Sequence, residues 1–272
     1  MVKRGFIIVG LLLMMLVTAV ACSILQEPEA ASGPIEAVPL EIETPAVTTA
    51  PSDNNGTKTP EAGITGEEQA DPTATETTTL ETGDHADDGT ESGGLTIYAI
   101  VSEKSQVRFE LDEDLRGTRQ TVVGTTNQVA AELAVDFADL STIQLGTVQI
   151  NARTLATDNN FRNRALRNEI LHTGDYELIT FTPTEINGLP DFIAEGGSVN
   201  FAIHGDLTIQ DVTQQVVFEV TATAVSPTRI TGTALAVINR SDYNINIPNV
   251  PNVANVEEEV ELYIDFVAEK VE

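Results

Sequence analysis

Arg162, Arg164 and Arg167 fall within six positions of one another, with Arg153 close before them, in a chain whose formal charge is −28. A guanidinium donates two parallel hydrogen bonds from a planar fork, which suits a phosphate or pyrophosphate. This local basic concentration is therefore a candidate binding place for the polar head of a ligand. The competing reading is a solvated face whose arginines pair with the surrounding carboxylates. If the first reading holds, replacing all three arginines by alanine should weaken phosphorylated ligands more than neutral ones.

Other chemistry finds little footing. There is no G-x-S-x-G elbow and no Walker A sequence. His85, His172 and His204 are scattered, without the spacing that metal ligands require. Acidic residues are so frequent that their proximity in sequence carries little meaning, although Asp84, Asp87 and Asp88 beside His85 form a weak candidate cation site. We expect no catalytic residue, no cofactor and no metal, and so a binding protein rather than an enzyme. The strongly acidic balance argues against nucleic acid, because phosphate binding needs a clustered basic surface.

The elements that would position the arginines lie on both sides of them. Val148 and Ile150 precede as strand residues, and Ile179 and Phe181 follow. Between them a short helix is expected, capped by Asp158 or Asn159. Phe161 with Ala165, and Leu166 with Ile170, would make its apolar stripe. From Leu95 onward the dominant signal is period-two alternation. Val107, Phe109 and Leu111 share a face. So do Val129, Ala131, Leu133, Val135 and Phe137. Val199, Phe201, Ile203, Leu207 and Ile209 form a third row, Phe218 to Ala224 a fourth, and Val260 to Ala268 a fifth, with Glu259, Glu261 and Asp265 opposite. The turns fall at Asn187-Gly188, Gly196-Gly197 and Ser226-Pro227. The fold class expected is all-β with one short helix, an antiparallel barrel of about eight strands, which removes exposed edges and can enclose one small ligand.

The part before Leu95 reads differently. Lys3 and Arg4 precede an apolar run from Phe6 to Val17, too short for a comfortable membrane span. Ala19-Val20-Ala21-Cys22 follows, and Cys22 is the only cysteine. This resembles the bacterial lipoprotein signal, in which that cysteine is acylated. From Ser23 to Gly94 there are sixteen acidic residues against one basic residue, Lys58, with no sustained period. Such a composition buries too little apolar surface to offset the entropy of ordering. The boundaries expected are a signal peptide at 1–21, a disordered acidic Thr/Pro-rich tether at 22–94 and a barrel domain at 95–272.

The domain resembles the YceI-like family, whose members are lipocalin-like barrels that bind polyisoprenoids. Ser105, Val107 and Phe109 match its opening strand, and Gly124 a glycine after it. Asn151 through Thr157, then Arg162 and Ala165-Leu166-Arg167, match its strand-to-helix segment. Tyr176 and Thr180-Phe181 match the next strand, Gly205 to Ile209 with Val212-Thr213 a hairpin, and Arg240, Asp242 and Tyr243 a late element. Asn163, Glu177, Asp211 and Asn244 depart from the family's usual Asp, Pro, Gly and Gly. Asn244 can replace a glycine because asparagine tolerates a positive φ. Thr125-Thr126 stand where an aromatic is usual, and Asp112-Glu113-Asp114 occupy a region at the barrel rim that often holds histidine.

Together, the lipoprotein-like signal and the family resemblance imply a lipid-anchored binding protein that holds an isoprenoid or similar long apolar lipid in the barrel lumen. Phe109, Phe137, Ile150, Phe181, Phe201 and Phe218 are the lumen candidates. Arg162, Arg164 and Arg167 are the headgroup candidates, and Cys22 is the lipidation site. The expected partners are the lipid, the membrane through the anchor, and a second copy of the chain as a candidate homodimer. The expected location is the cell envelope, facing the periplasm or the exterior. The alternative is a surface interaction or stress-protective module with no ligand, for which a lumen packed solid with side chains would speak.

Overall fold

The computed structural model describes residues 27–40 and 94–272. The expected signal segment, Cys22 and the Asp84–Asp88 cluster lie outside those residues. Among the described residues no helix is long and apolar enough to cross a membrane.

The alternating rows become the strands of one antiparallel sheet. Its strands are β1 (Thr96–Ile100), β2 (Gln106–Leu115), β3 (Thr118–Thr126), β4 (Val129–Ala130), β5 (Glu132–Val135), β6 (Gln144–Leu145) and β7 (Val148–Asn151). After a helix come β8 (Leu178–Asn187), β9 (Ser198–Ile209), β10 (Val212–Ser226), β11 (Arg229–Asn239), β12 (Val253–Ala254) and β13 (Glu259–Lys270). β4 and β5 are halves of one stretch broken at Ala131. β4 pairs with β7, and β5 pairs with β1. The ladder β4-β7-β8-β9-β10-β11-β13-β1-β5 thus returns to the stretch from which it started. This closes the sheet into the expected lipocalin-like barrel.

Two strands share one edge of β13 end to end. The free edge of β13 is covered by β1 over Ala268–Lys270 and by β2 over Glu261–Asp265. β2 then carries the β3 hairpin and β12, and the end of β3 bridges back to Ala156, so that these strands complete the wall at the end nearer the helix. The β2–β3 hairpin turns on Arg116 and Gly117, both at positive φ, the backbone that a two-residue hairpin turn requires.

Alternation produces the core directly. On β10, Val216, Phe218, Val220, Ala222 and Ala224 are buried. The residues between them face outward, Glu219 and Thr221 among them. Ile230, Ala234, Ala236 and Ile238 do the same on β11, and Val260, Ile264 and Ala268 on β13. Two glycines in this core are space requirements. A Cβ on Gly124 would lie 2.1 Å from Cε1 of Phe109, its cross-strand partner, and one on Gly205 would lie 2.5 Å from Cζ of Phe181. Each glycine lets a phenylalanine ring lie flat against the sheet.

The helix is short and capped by Asn159, as expected, and it ends in a wider turn. α1 covers only Asn160–Ala165, capped by Asn159, whose Oδ1 accepts from the amides of Phe161 and Arg162. A π-helical turn, Leu166–Ile170, follows, and the Leu171 amide donates to the Leu166 carbonyl five residues back. The expected stripe survives the change of pitch: Phe161, Ala165, Leu166 and Ile170 all border the barrel interior, with Leu166 buried and Phe161, at the outer end, 68% exposed. Asn163 is buried and pins the helix to the preceding loop. Its Oδ1 accepts from the Thr157 amide (2.7 Å) and hydroxyl (2.8 Å), and its Nδ2 donates to the Thr157 carbonyl (3.2 Å). An aspartate here could not make the last of these bonds.

Part of the stretch expected as a free tether lies against the domain. Residues 27–40 run along its side as an extended strap. Glu29 pairs with Arg153 at 3.1 Å, and the Ser32 amide donates to Glu177 at 2.7 Å. The Ile35 amide meets Gln128, and the Leu40 amide donates to Glu132 at 2.8 Å. Arg153 is the hub. It also donates to the carbonyls of Thr173 and Gly174, and it pairs with Glu177 at 3.1 Å.

Candidate functional site

The inward rows do not fill the barrel uniformly. At the end nearer α1 they leave a cavity of about 530 Å³. Its walls come from β2 (Val107, Phe109, Leu111), the neighbouring strands (Ile150, Ile179, Phe181, Leu207, Phe218) and β13 (Val260, Leu262, Ile264). Phe161, Ala165 and Leu166 close one side of the mouth, and the loop after Asn244 supplies Ile245, Ile247 and Val250. A lining made almost wholly of hydrocarbon, with few polar atoms, suits a long apolar ligand, and the volume falls within the roughly 300–1,000 Å³ usual for ligand pockets.

Four of the six lumen candidates, Phe109, Ile150, Phe181 and Phe218, line this cavity. Phe181 and Phe218 meet edge to face with ring centroids 4.9 Å apart. Phe137 and Phe201 do not line it. Phe137 packs on Tyr98 at 5.9 Å in the solid end of the barrel, and Phe201 sits on β9 toward that same end. Alternation places a residue on the inner face, but it says nothing of depth along the axis.

The three headgroup arginines are not brought together. Only Arg162 reaches the cavity. Arg164 lies 4.0 Å from Glu27 of the strap. Arg167 turns to the backbone, donating to the carbonyls of Asn163 and Arg153. The cause is the helix itself: residues two apart at α pitch lie about 200° apart, so Arg162 and Arg164 leave α1 on opposite sides, and Arg167 follows on the π turn. Arg162 itself is already engaged, at 2.8 Å from Glu113 and 2.7 Å from Asp158. Glu113 is buried, and it also accepts from Gln120 at 3.1 Å.

Glu113 is the site residue that sequence reading overlooked. It occupies the same parity on β2 as Val107, Phe109 and Leu111, so it points inward with them. Extending that row by one step would have found it. Arg240 is a second. It borders the cavity and pins the mouth loop through Glu258 (3.0 Å) and the carbonyls of Glu257 and Ile245. Asn244 at the base of that loop has φ +56°, as its glycine-replacing role required. Beside it Tyr243 is buried, and burial, helped by the Asp242 charge, pushes its phenol up to about 12. Among the described residues no group of acidic, histidine or cysteine side chains could hold a metal ion.

The closed antiparallel barrel is the fold expected from the motifs that the chain carries. The sequence profile of the YceI-like domain matches residues 98–268. The chain belongs to the YceI-like family. Among solved structures, it is similar to a polyisoprenoid binding domain from Saccharophagus degradans implicated in plant cell wall breakdown. The identity is 15% and the TM-score 0.51, over 65% of this chain and all of that one. It is also similar to BcnA of Burkholderia cenocepacia, with 19% identity and a TM-score of 0.49, over 62% of this chain and 98% of that one. No curated protein sequence matches it. In this YceI-like domain the family glycine Gly124 and the family phenylalanine position Phe181 both belong to the cavity wall, Gly124 by seating Phe109.

Proposed function

We propose that this YceI-like protein is a lipid-anchored carrier that holds an isoprenoid or similar long apolar chain in the hollow end of its barrel. The observation that carries the reading is the apolar cavity of about 530 Å³. Binding is noncovalent and driven by burial of hydrocarbon, about 0.8 kcal/mol per methylene. A barrel filled with side chains throughout would have favoured a ligand-free interaction module instead. The anchor is an acylated Cys22, and the protein faces the periplasm or the exterior. The polyisoprenoid binding of the Saccharophagus domain and the shared family support the ligand class.

The mouth favours a neutral, hydrogen-bonding head over an anionic one. Each arginine bordering the cavity already faces carboxylates: Arg162 faces Glu113 and Asp158, Arg240 faces Glu258, and Arg108 faces Glu110 at 2.6 Å and Asp265 at 3.6 Å. A pyrophosphate that took Arg162 would strand the buried Glu113 carboxylate, and breaking a buried pair costs about 3–5 kcal/mol. The test is competition of geranylgeraniol and geranylgeranyl pyrophosphate against a fluorescent prenyl probe on the full chain. The proposal expects the alcohol to displace the probe at lower concentration. Failure of both to displace it, or of the probe to bind at all, would contradict the carrier reading.

A further inference from the structure

The strap has a direction, and that direction carries a consequence for the membrane. Its first described residue, Glu27, lies beside Arg164 on α1, and Glu29 is on Arg153. Its last, Leu40, lies on Glu132 of β5. The N-terminal end of the strap is therefore at the helix that borders the cavity mouth. Cys22 is five residues before Glu27, a reach of at most about 17 Å for extended chain. β8 alone runs ten residues away from the mouth, about 33 Å at strand rise. An anchor at Cys22 thus leaves room for the mouth at the lipid surface but not for the far end. The long acidic stretch after residue 40 follows the strap in sequence, so it does not lie between anchor and barrel.

The mouth also presents a side chain suited to that surface. Phe161 borders the cavity and is 68% exposed, on a helix whose next turn buries Leu166. An aromatic ring at a lipid interface buries apolar area that water otherwise covers. Among the described residues the other strongly exposed phenylalanine, Phe192 at 66%, lies beyond the opposite end of β8, where the neighbouring Ile193 amide donates to the Phe137 carbonyl.

We propose that the strap clamps the barrel with its cavity mouth against the membrane, Phe161 entering the lipid surface, so that a lipid passes between bilayer and lumen without crossing water. With Asp158 and Glu27 beside the mouth and a formal charge of −28, the surface it fits is zwitterionic rather than anionic. The proposal rests on the lipid anchor at Cys22, and the experiment separates the two. The chain contains no tryptophan, so one introduced residue is a unique fluorophore. Acylated full-length Phe161→Trp and Phe192→Trp proteins are reconstituted on phosphatidylcholine vesicles carrying brominated acyl chains, with vesicle flotation measured alongside. The expected result is flotation of both proteins and several-fold stronger quenching at position 161. Adding Glu29→Lys and Ser32→Ala to Phe161→Trp, which loosens the strap from its own side, should lower that quenching while flotation persists. Flotation with equal quenching at both positions, with stronger quenching at 192, or with quenching indifferent to the strap substitutions, overturns the orientation alone. No flotation, or flotation unchanged by Cys22→Ala, removes the anchor reading and the orientation with it.

Discussion

The same alternation runs the full length of the long strands, yet the two ends of the barrel put it to different uses. At one end Tyr98, Phe137, Val220, Ala222, Ala234 and Ala268 interlock into a solid core, and Tyr98 is 1% exposed with its hydroxyl on the Pro227 carbonyl at 2.7 Å. At the other end, larger residues on the same strands, Phe218 on β10, Ile238 on β11 and Ile264 on β13, stand around a space that none of them fills. Small side chains let the walls meet at the solid end. At the hollow end the β2–β3 hairpin, α1 and the mouth loop hold them apart. The difference teaches that stability and binding are assigned to separate halves of one sheet, and substitutions in the two halves should separate accordingly.

The largest effect is expected in the solid half. Tyr98→Ala should cost about 3–5 kcal/mol of stability, measured by urea unfolding, as for other large aromatic-to-alanine changes in a packed core. Tyr98→Phe, which loses only the hydroxyl and its bond, should cost about 0.5–1.5 kcal/mol. If Phe109→Ala, in the hollow half, destabilises as much as Tyr98→Ala, the division of labour is wrong.

At the hollow end, Gly124→Ala should destabilise by about 1–3 kcal/mol, because its Cβ would displace the Phe109 ring. The ring can move only toward the cavity, so prenyl-alcohol affinity should fall further than stability does. Isothermal titration beside thermal unfolding compares the two. Glu113→Gln should sharpen the account of the mouth. It frees Arg162 from its buried carboxylate, and the preference for the alcohol over the pyrophosphate should narrow by about tenfold, or 1.4 kcal/mol. An unchanged preference would show that Arg162 does not face the ligand.

The smallest effect concerns the strap. Burial alone would raise the Glu177 carboxyl, but hydrogen bonds from the Ser32 hydroxyl and amide and from Asn151, with the Arg153 charge, outweigh it and hold the group below its ordinary value. A carboxyl lowered by docking contributes to docking above its ordinary range and loses that contribution as the pH falls through the lowered value. Hydrogen exchange at residues 27–40 should therefore quicken in acid, after correction for intrinsic rates, before the barrel amides do. Glu177→Gln should abolish that difference.

Much of the barrel was legible because a buried face repeats every second residue, and the rows Val260 to Ala268 and Phe218 to Ala224 point as their parity requires. Depth was not legible, which is why Phe137 and Phe201 looked equivalent to Phe109 and Phe181. The arginines misled because closeness in sequence is not closeness in space: residues two apart on a helix face away from each other, so Arg162 and Arg164 diverge within α1 itself. Glu113 was hidden among Asp112 and Asp114, which read as rim acids although parity separated it from them. The strap left no signal because its hold depends on single partners, Arg153, Glu177 and Glu132, that lie about a hundred residues or more away in sequence. No periodicity records such pairings.

The central claim is that the hollow end holds a lipid. Native mass spectrometry of the full chain, purified without detergent from a bacterial host and repeated after denaturing extraction, tests it most directly. The account predicts a bound mass of several hundred daltons, lost on denaturation and identified as a neutral-headed isoprenoid. A bare chain that also refuses added prenyl alcohol would contradict it and leave the barrel as a scaffold for surface contacts.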